Sequence, residues 1–437
     1  MINKKTKEVQ TIYLFIDRHV RQIKEEGWPA VRRKARTAVI ISIKLPIYLI
    51  GFTFAVPVVL FVRLIRFWVL IRFGPVSSGV IGHSVLDPEY YLCERELDKS
   101  KTIDCFYFHS GNPPPNEQWT IMVQRHLKIS PFFWYLDRTN RLISGGEKHY
   151  KRPGVTGSRD LKGYFAITKP HIKFLSEEDV RGRQFLENLG MQSSDRFVSL
   201  LVRDSAYKEK YQNWGKRDWS YHNYRDSDID TYEKVALELA NKGYWVLRMG
   251  KAVHKPFKAN HTRILDYANS GYRSDFLDIW LMANCFFTIS TATGLDAVSS
   301  VFRRPIVYVN FTSVGYCIPG STKNIHLFKY LKWESTGNYL SLNEQIDSGS
   351  IHFLRTNDFV ENGIEIVDNT AQEIRDATLE MEMRLSNTWK ENAFDLELQN
   401  RFWNILKEWK DYHKYHGKIQ ARISTNFLRK NHKWFLK

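Results

Sequence analysis

The sequence predicts an α/β fold built on a parallel sheet, preceded by a membrane-associated helical segment. Short buried-strand patterns alternate with helical patterns between residues 193 and 385. This alternation is typical of a parallel sheet that is covered by helices on both faces. The stretch 45–62 holds eighteen residues without a charge, which is long enough to reach most of the way across a hydrocarbon core of roughly 30 Å.

Length and composition indicate a folded protein of two domains with appended segments. The chain has 437 residues, of which 43% are hydrophobic and 25% are charged, so a disordered or low-complexity protein is excluded. Its four cysteines are scattered without a CxxC pair. That spacing excludes a disulfide scaffold and an obvious zinc site, and it suits a reducing compartment.

The net charge of +17 is concentrated at the two ends of the chain. Residues 1–72 carry +10 and residues 401–437 carry +8, so residues 73–400 sum to −1. A domain that binds nucleic acid usually presents a basic surface of its own. The charge distribution therefore excludes nucleic acid as a partner and places the basic excess in the appended segments.

Residues 1–73 are predicted to associate with a membrane surface. Basic residues that can meet anionic lipid flank the apolar run on both sides, so the positive-inside rule gives no orientation. Pro46 and Pro57 lie in the run, and a re-entrant hairpin with both ends cytoplasmic fits as well as a single span. The alternative is a helix buried in a protein core. A helical apolar stripe over residues 9–23 supports the membrane reading.

Three further segments follow. Residues 74–192 mix aromatic runs with turn signals and are predicted to form a smaller α/β domain with a strand at 103–108. Residues 193–385 are predicted to form the parallel sheet, with strands at 197–202, 244–247, 263–267, 285–289 and 305–309. Residues 386–437 are predicted to form a C-terminal helix and a basic tail.

Two strand ends in the region 193–385 carry residues that suit a diphosphate. A turn of small and hydroxyl residues follows one strand, and the helix start beyond it can offer free N–H groups and a positive dipole end to phosphate. A guanidinium at the other strand end can bind phosphate through two hydrogen bonds. The alternatives are an ordinary capped turn and a structural Arg–Asp pair. The residues concerned are Arg203, Asp204, Ser290, Thr291, Thr293 and Gly294.

Three acidic residues form two overlapping Asp-x-Asp patterns, a spacing that can hold a divalent metal and a diphosphate. They are Asp226, Asp228 and Asp230. They precede a helix, where aspartate caps the first turn and is favoured by the helix dipole. We therefore expect helix capping here and predict no metal and no cofactor.

Two other positions are candidate substrate contacts. Arg248 follows a strand and is expected to touch the substrate. Ser274 is the expected helix cap, so Asp275 either receives a ribose or base hydrogen bond or only favours the helix dipole. No G-x-G-x-x-G, P-loop or G-x-S-x-G motif occurs, which disfavours nicotinamide enzymes, P-loop NTPases and α/β-hydrolases.

The motifs resemble a family of bacterial glycosyltransferases encoded in surface-carbohydrate gene clusters (lipopolysaccharide and capsule). The resemblance spans roughly residues 74–435 and is carried by the segments 81–92, 202–207, 219–228, 273–276, 290–296 and 302–310. A weaker resemblance is to fucosyltransferase-like enzymes, whose strand-end arginine contacts the nucleotide diphosphate. Arg203 takes that place here, whereas the usual histidine two residues before it is Leu201.

The resemblance implies a GT-B-like fold, in which two Rossmann-like domains face a cleft. The domain at 193–385 would hold the sugar nucleotide and the domain at 74–192 the acceptor. The implied function is transfer of a sugar from a nucleotide-sugar donor to a surface-polysaccharide acceptor, either lipid-linked or lipopolysaccharide. The catalytic domains would lie on the cytoplasmic face of the inner membrane.

The chemistry expected of such an enzyme needs no metal. Arg203 and the amides at Thr293–Gly294 would neutralise the leaving diphosphate. His83, expected to close a strand, is the candidate general base, and a structural histidine is the alternative. The rival functions are a non-hydrolysing sugar-nucleotide epimerase and a catalytically silent membrane scaffold of a polysaccharide assembly complex.

Overall fold

The computed structural model describes residues 20–98, 100–109, 114–154, 159–211 and 220–437. These residues form two compact units. The first, called the apolar unit here, comprises the described residues up to Gly74 together with Lys101–Cys105 and Ser130–Tyr150. The second, called the sheet unit, comprises Pro75–Ser100, Phe106–Ile129 and Lys151–Lys437.

The sheet unit is built on seven parallel strands in the order β11-β8-β7-β6-β3-β4-β5. The strands among the described residues are β1 (Leu70–Val76), β2 (Thr102–Phe108), β3 (Phe197–Leu201), β4 (Trp245–Arg248), β5 (Ile264–Leu265), β6 (Phe287–Ser290), β7 (Ile306–Phe311), β8 (Ile325–Phe328), β9 (Tyr330–Trp333), β10 (Ile364–Val367) and β11 (Arg422–Ile423). Strand β3 is the first strand of this sheet in sequence and lies in its interior. The later strands are added on both sides of it, β4 and β5 on one side and β6, β7, β8 and β11 on the other. The crevice between β3 and β6 is therefore the switch point of a doubly wound sheet, where such folds bind ligands.

Alternate residues of the central strand enter two different hydrophobic cores. Val198 and Leu200 join the core on one face of the sheet, whereas Phe197 and Leu201 join the core on the other face. Side chains of a strand point alternately to its two faces, so a strand covered on both sides is apolar throughout. This continuous apolar pattern allowed the strand to be recognised in the sequence. All five strands predicted for this region are present, with bounds that differ by a few residues.

The C-terminal segment is folded and is not a basic tail. Strand β11 adds to the edge of the sheet, and the helix Thr425–Phe435 buries Phe427, Leu428 and Phe435 in the core. Its basic residues lie between these apolar positions at helical spacing, which hid the buried stripe. Strands β8 and β11 were not predicted, so the sheet is larger than the sequence indicated.

A second Rossmann-like sheet is not present among the described residues of 74–192. Strands β1 and β2 form a two-stranded sheet, and isolated parallel bridges join Phe73 to Tyr150 and Phe106 to Ile129. Most of this region is helical, because its aromatic runs carry apolar residues at helical spacing. The fold is a mixed α/β fold with one large parallel sheet, and the expectation of two such domains is corrected.

The helices cover the faces of the large sheet or belong to the apolar unit. The longer ones are Trp28–Leu64, Ile81–Leu97, Glu117–His126, Phe132–Leu142, Ser176–Asn188, Glu233–Asn241, Asp275–Asn284, Ala371–Leu385, Ala393–Lys407 and Thr425–Phe435. The shorter ones are Tyr164–Ile167, Ala206–Tyr211, Asp296–Val301, Leu342–Asp347, Thr356–Glu361 and Tyr412–Tyr415. Ser274 caps a helix as the sequence predicted, and Thr370 caps the helix Ala371–Leu385.

The apolar unit consists mainly of two packed helices. Trp28–Leu64 continues through Pro46 and Pro57 as one helix, so the hairpin, one of the two alternatives that the sequence left open, does not form. The stretch Leu45–Phe67 is long and apolar enough to cross a membrane, and most of it is exposed. One stripe of this helix packs against Phe132–Leu142. The predicted apolar stripe over residues 9–23 lies mostly outside the described residues.

Candidate active site

A cavity of about 700 Å³ lies in the sheet unit at the carboxyl ends of β3, β6 and β7. Residues from both of the regions predicted as domains line it. The first group is Val80, Ile81, His83, Pro115, Asn116 and Arg159. The second group includes Arg203, Asp204, Tyr207, Lys208, His222, Tyr224, Arg225, Lys251, Asp278, Thr291, Thr293, Gly294, Asp296, Tyr308, Asn310 and Tyr316.

Two arginines lie together in the cavity wall. The Nε of Arg203 donates to Oδ1 of Asp226 over 3.0 Å, and its terminal nitrogens have no partner among the described residues. Arg225 donates through Nη2 to the carbonyl of Ala292, and its Nε and Nη1 have no described partner. Burial and the neighbouring Arg225 lower the pKa of Arg203. Two crowded guanidiniums with spare donors suit an anion of high charge.

The turn after β6 is organised by the buried carboxylate of Asp296. Its Oδ2 accepts from Ser290 Oγ over 2.6 Å and from the amide of Thr293 over 2.8 Å. Burial raises the pKa of Asp296 to about 6. The predicted phosphate contact through the Thr293 amide is therefore wrong, because that amide is already used. Ser290 is fully buried, is not part of the cavity wall, and shapes the turn instead.

Two other groups of this turn remain available to a ligand. The Oγ1 of Thr293 is buried without a hydrogen bond to any described residue, and Thr293 lines the cavity. The amide of Gly294 likewise donates to no described residue. The helix beyond it begins at Asp296 and is not capped by the Thr293 hydroxyl. The turn thus offers a hydroxyl and one amide, where the sequence predicted two amides.

Gly294 approaches the start of the helix Ile81–Leu97. A Cβ at position 294 would lie 2.7 Å from Ile81 Cγ2 and 3.1 Å from the amide nitrogen of Gly82. Any larger residue at 294 would therefore push this helix away. His83 lies in the first helical turn and lines the cavity. The prediction that Gly82-His83 closes a strand is wrong, but the placement of His83 at the cavity agrees with its candidate role.

Thr291 and Asp204 hold the two strand ends in register. Thr291 Oγ1 accepts from the amide of Arg203 over 2.9 Å, which ties the end of β3 to the end of β6. Asp204 accepts from the amides of Ala206 and His254 over 3.1 and 2.9 Å. Both residues line the cavity, and both position backbone around Arg203.

Arg248 and Asp275 do not line the cavity. Arg248 is 1% exposed, and it donates to Asp266 over 3.1 Å and to the Lys255 carbonyl over 3.3 Å. The last residue of β4 points into the protein, so its predicted substrate contact is wrong. Asp275 accepts from the Glu117 amide over 2.9 Å and pairs with Arg273, which uses the oxygens predicted to receive a ribose.

The Asp-x-Asp cluster behaves as a capping segment, as predicted. The Asp228 side chain accepts from the Asp230 amide over 3.1 Å at the start of the 3-10 helix Ile229–Tyr232. Lys255 pairs with both Asp228 and Asp230. Asp226 is the exception, because it serves Arg203, and burial raises its pKa.

Two arginines of the cavity were missed as site residues. Arg225 lies in the motif that was interpreted through its aspartates, so the basic residue directly before Asp226 was the overlooked signal. Arg159 donates to the carbonyls of Tyr316 over 2.8 Å and Cys317 over 2.9 Å, and its guanidinium packs on the rings of Tyr316 and Tyr415. Burial lowers its pKa. No local pattern marks Arg159, since all these partners are more than a hundred residues away.

A second polar cluster lies elsewhere in the sheet unit. Ligand atoms of Glu89, Cys93 and His171 lie within 4.8 Å of one another, although sequence spacing gave no such group. Arg303 Nη2 lies 3.0 Å from Glu89 Oε1 and 3.4 Å from Cys93 Sγ. Burial raises the pKa of Cys93 to about 11. The guanidinium of Arg303 already balances the negative charge that would otherwise attract a metal ion. We therefore regard this cluster as structural.

Comparisons with known proteins reach only distant similarities. No protein-family model and no curated protein matches the chain. A solved glycosyl transferase family 9 protein from Veillonella parvula DSM 2008 is 11% identical, with a TM-score of 0.35 over 55% of this chain and 80% of its own. E. coli ADP-heptose lps heptosyltransferase II is 11% identical, with a TM-score of 0.32 over 55% and 84% of the two chains.

A third solved structure, the S. aureus MnaA–UDP complex, is 10% identical, with a TM-score of 0.29 over 80% of this chain and 100% of its own. The resemblance to fucosyltransferase-like enzymes finds no support among these comparisons. Similarities this distant do not identify the reaction or the substrate of the present chain.

Proposed function

We propose that this protein is a glycosyltransferase that binds a nucleotide-sugar donor in the cavity at the β3–β6 crevice. The observation that supports it is the pair of guanidiniums of Arg203 and Arg225, whose remaining donors have no described partner. Burying like charges side by side costs free energy unless an anion compensates them. A diphosphate carries the required charge and matches the planar fork of arginine.

The same groups would assist departure of the diphosphate. As the bond between sugar and diphosphate breaks, negative charge grows on the leaving phosphate oxygens. Arg203, Arg225 and the Gly294 amide lie in place beforehand, so they stabilise that charge without reorganising. The carboxylates of Asp228 and Asp230 are paired with Lys255, and the proposed reaction therefore uses no metal.

His83 is the proposed general base. It lies in the wall of the cavity, in the first turn of a helix that Gly294 contacts through Ile81 and Gly82. This position is next to the turn that would hold the phosphate, and a histidine can accept the proton of an acceptor hydroxyl near neutral pH. The acceptor would enter from the side formed by the residues between 74 and 192.

The acceptor is proposed to be a surface-polysaccharide precursor, either lipid-linked or lipopolysaccharide. The exposed apolar helix of the apolar unit and its basic flanks would hold the enzyme at the cytoplasmic face of the inner membrane, where anionic lipid is present. A membrane-bound enzyme meets a lipid acceptor without waiting for it to leave the bilayer.

Calorimetric titration of ADP, UDP, GDP and CDP tests the donor site. We expect one nucleotide to bind wild type, and Arg203→Lys to weaken that nucleotide about 5-fold to 150-fold, equivalent to about 1–3 kcal/mol. Arg183→Lys is the matched control, since Arg183 is exposed and outside the cavity. Equal affinity in all three proteins would show that Arg203 only pairs with Asp226.

Incubation with labelled nucleotide sugars, with and without membrane-lipid acceptors, tests the reaction. A glycosyltransferase needs both donor and acceptor to form product. An epimerase would convert the nucleotide sugar alone, and a scaffold would leave both unchanged. Product formation without acceptor would therefore replace the proposed function with epimerisation.

A further inference from the structure

We propose that the apolar helix does not cross the bilayer but lies within one leaflet, with the helix Phe132–Leu142 covering the side that faces the headgroups. The apolar helix here is the stretch Leu45–Phe67, and the cover helix is Phe132–Leu142. This inference rests on the membrane association in the proposed function and adds its geometry. It is independent of the donor site.

The cover helix packs along one stripe of the apolar helix. Ala55, Val59 and Val62 are buried against Leu136 and its neighbours. At one end, Tyr48 and Phe52 pack on Trp134 and Tyr135, with ring centroids 5.3–6.3 Å apart. The contact therefore extends from Tyr48 to Val62, over most of the apolar stretch.

Two local features stabilise this contact between the helices. Gly51 allows the close approach, because a Cβ there would lie 2.5 Å from the ring of Tyr135. At the other end, Arg63 donates to the carbonyls of Asn140, Ile143 and Ser144 over 2.6–3.0 Å. These carbonyls belong to the last turn of the cover helix and the residues after it, where a cation satisfies free acceptors. The two helices are thus held together at both ends.

The charges of the cover helix are incompatible with a location in the hydrocarbon. Asp137 is fully buried and pairs with Arg141, whereas Arg138 and Arg141 are exposed. Arg138 lies in the cover helix between Tyr135, which contacts Phe52, and Asn140, which contacts Arg63. It therefore lies alongside the middle of the apolar helix, and if that helix spanned the bilayer the charge of Arg138 would lie among lipid chains, which is strongly unfavourable. In a helix that lies within one leaflet, the cover helix faces the headgroups and its arginines meet anionic lipid.

The remaining faces of the apolar helix suit lipid. Large apolar side chains on these faces are more than half exposed, namely Ile47, Ile50, Phe54, Leu60, Phe61, Leu64 and Phe67. A patch of this size is unusual on a soluble surface. The full helix Trp28–Leu64 has 37 residues and is therefore about 55 Å long, well beyond the roughly 30 Å of hydrocarbon. Its basic start, with exposed Arg32, Arg33 and Arg36, fits the same interface.

Paired cysteines decide between the two geometries without knowledge of orientation. The variant Thr37→Cys/Arg66→Cys places one exposed thiol before the apolar helix and one at its C-terminal end, and all four native cysteines are buried. The protein is reconstituted into sealed vesicles of phosphatidylethanolamine and phosphatidylglycerol and treated with an impermeant polyethylene-glycol maleimide. The number of added chains is read from the gel shift, with wild type as the unlabelled control.

We expect chains that carry either two labels or none, because both thiols lie on the same side of the membrane. A spanning helix would give one label on nearly every chain and would overturn the proposal. Failure of the protein to float with the vesicles would also overturn it and would indicate a second copy or another segment as the cover of this face. Nucleotide titration of the same preparation tests the donor site separately, so either failure is recognised alone.

The role of the cover helix is tested in the same assay. Gly51→Val fills the close approach to Tyr135 without adding charge, and we expect it to raise the singly labelled fraction at least threefold. Thr53→Val is the matched control, because Thr53 is exposed on the same helix and its hydroxyl donates only to the Leu49 carbonyl among the described residues. An unchanged label pattern in Gly51→Val would overturn the covering role assigned to Phe132–Leu142.

Discussion

Two arginines of the sheet unit are held in opposite ways. Both Arg303 and Arg203 are mostly removed from water, with side chains 19% and 12% exposed. All three nitrogens of Arg303 are bonded within the protein, whereas only Nε of Arg203 has a described partner. Arg303 therefore uses its hydrogen bonds to stabilise the fold, whereas Arg203 keeps N–H donors that can bind a ligand.

The hydrogen bonds of Arg303 all end on groups of the protein. Its Nε donates to the Phe165 carbonyl over 3.0 Å, and its Nη2 donates to Glu89 and to the hydroxyl of Thr168 over 3.2 Å. Glu89, which is fully buried, also accepts from the amides of His171 and Ile172. Such a network joins three chain segments and gives each nitrogen of Arg303 a partner within the protein.

The Arg203 network remains open toward the cavity. Asp226 partly compensates its charge, but Arg225 lies close enough to lower the pKa of Arg203. The two cations therefore lie close together, and among the described residues only Arg203 forms an ion pair with a carboxylate. An arginine that binds a ligand can therefore be as buried as a structural one. The number of its N–H donors without a protein partner distinguishes the two kinds of arginine better than the burial of the side chain does.

The largest expected effect is the loss of the Arg303 network. Arg303→Met should lower the free energy of unfolding by about 3–5 kcal/mol, because Glu89 would be left as a buried, unbalanced charge. Arg303 has a φ of +59°, and methionine meets the same backbone cost, so the change isolates the side chain. Urea unfolding gives the value. Arg203→Lys, measured alongside, should change it by less than about 1 kcal/mol.

A small decrease in the free energy of unfolding of Arg303→Met would mean that the two arginines do not differ in their structural role. Addition of zinc to the wild-type protein provides a second check. Tight zinc binding by wild type would mean that Glu89, Cys93 and His171 form a metal site after all, with Arg303 able to move aside.

The second expected effect concerns the pH dependence of stability through Asp296. Its pKa is about 6 in the folded protein and about 3.9 in an unfolded chain. Between these values the folded state binds more protons, so the contribution of Asp296 is complete below about pH 4 and is lost as pH rises through 6. The loss amounts to about 2–3 kcal/mol.

Asp296→Asn should remove this dependence while keeping the turn. Both hydrogen bonds of Asp296 end on one oxygen, and an asparagine amide oxygen can accept them. Unfolding free energies of wild type and variant, measured from pH 4 to pH 8, give the difference without contributions from other groups. Parallel curves would mean that Asp296 ionises normally and that the turn is more open to water than its burial indicates.

The third expected effect tests whether the two cavity arginines act on one anion. Arg203→Lys and Arg225→Lys should each weaken nucleotide binding by about 1–3 kcal/mol, because lysine keeps the charge but lacks the planar fork. The double variant should lose less than the sum, since both changes disable the same site. Full additivity in the titration would place the arginines on separate ligand groups.

The sequence predicted the buried parts of the fold well and the site only in part. Runs such as Phe197–Leu201 show their burial in every residue, so strands were found without knowledge of their neighbours. Arg203 was found because a cation at a strand end is a local signal. Arg159 and Arg303 were not, because their partners lie more than a hundred residues away along the chain.

Gly294 shows how a correct position can receive the wrong reason. The sequence indicated that glycine lets the backbone approach phosphate. In the structure its absent side chain also makes room for Ile81 and Gly82, which no local pattern reveals. Gly294→Val would therefore disturb the helix that carries His83 as well as the phosphate side of the turn, so its effect on nucleotide affinity cannot be assigned to phosphate contact alone.

The smallest expected effect comes from the exposed acidic pair beside the Arg203 network. Asp228→Asn should change nucleotide affinity and unfolding free energy by less than about 0.5 kcal/mol, because its ion pair with Lys255 is exposed to solvent. Asparagine can still cap the 3-10 helix. Nucleotide titration in EDTA should likewise match titration in its absence. A loss of binding in either experiment, restored by manganese, would mean that Asp228 and Asp230 leave Lys255 to hold a metal when the donor binds. The anion at Arg203 would then be shared between guanidinium and metal.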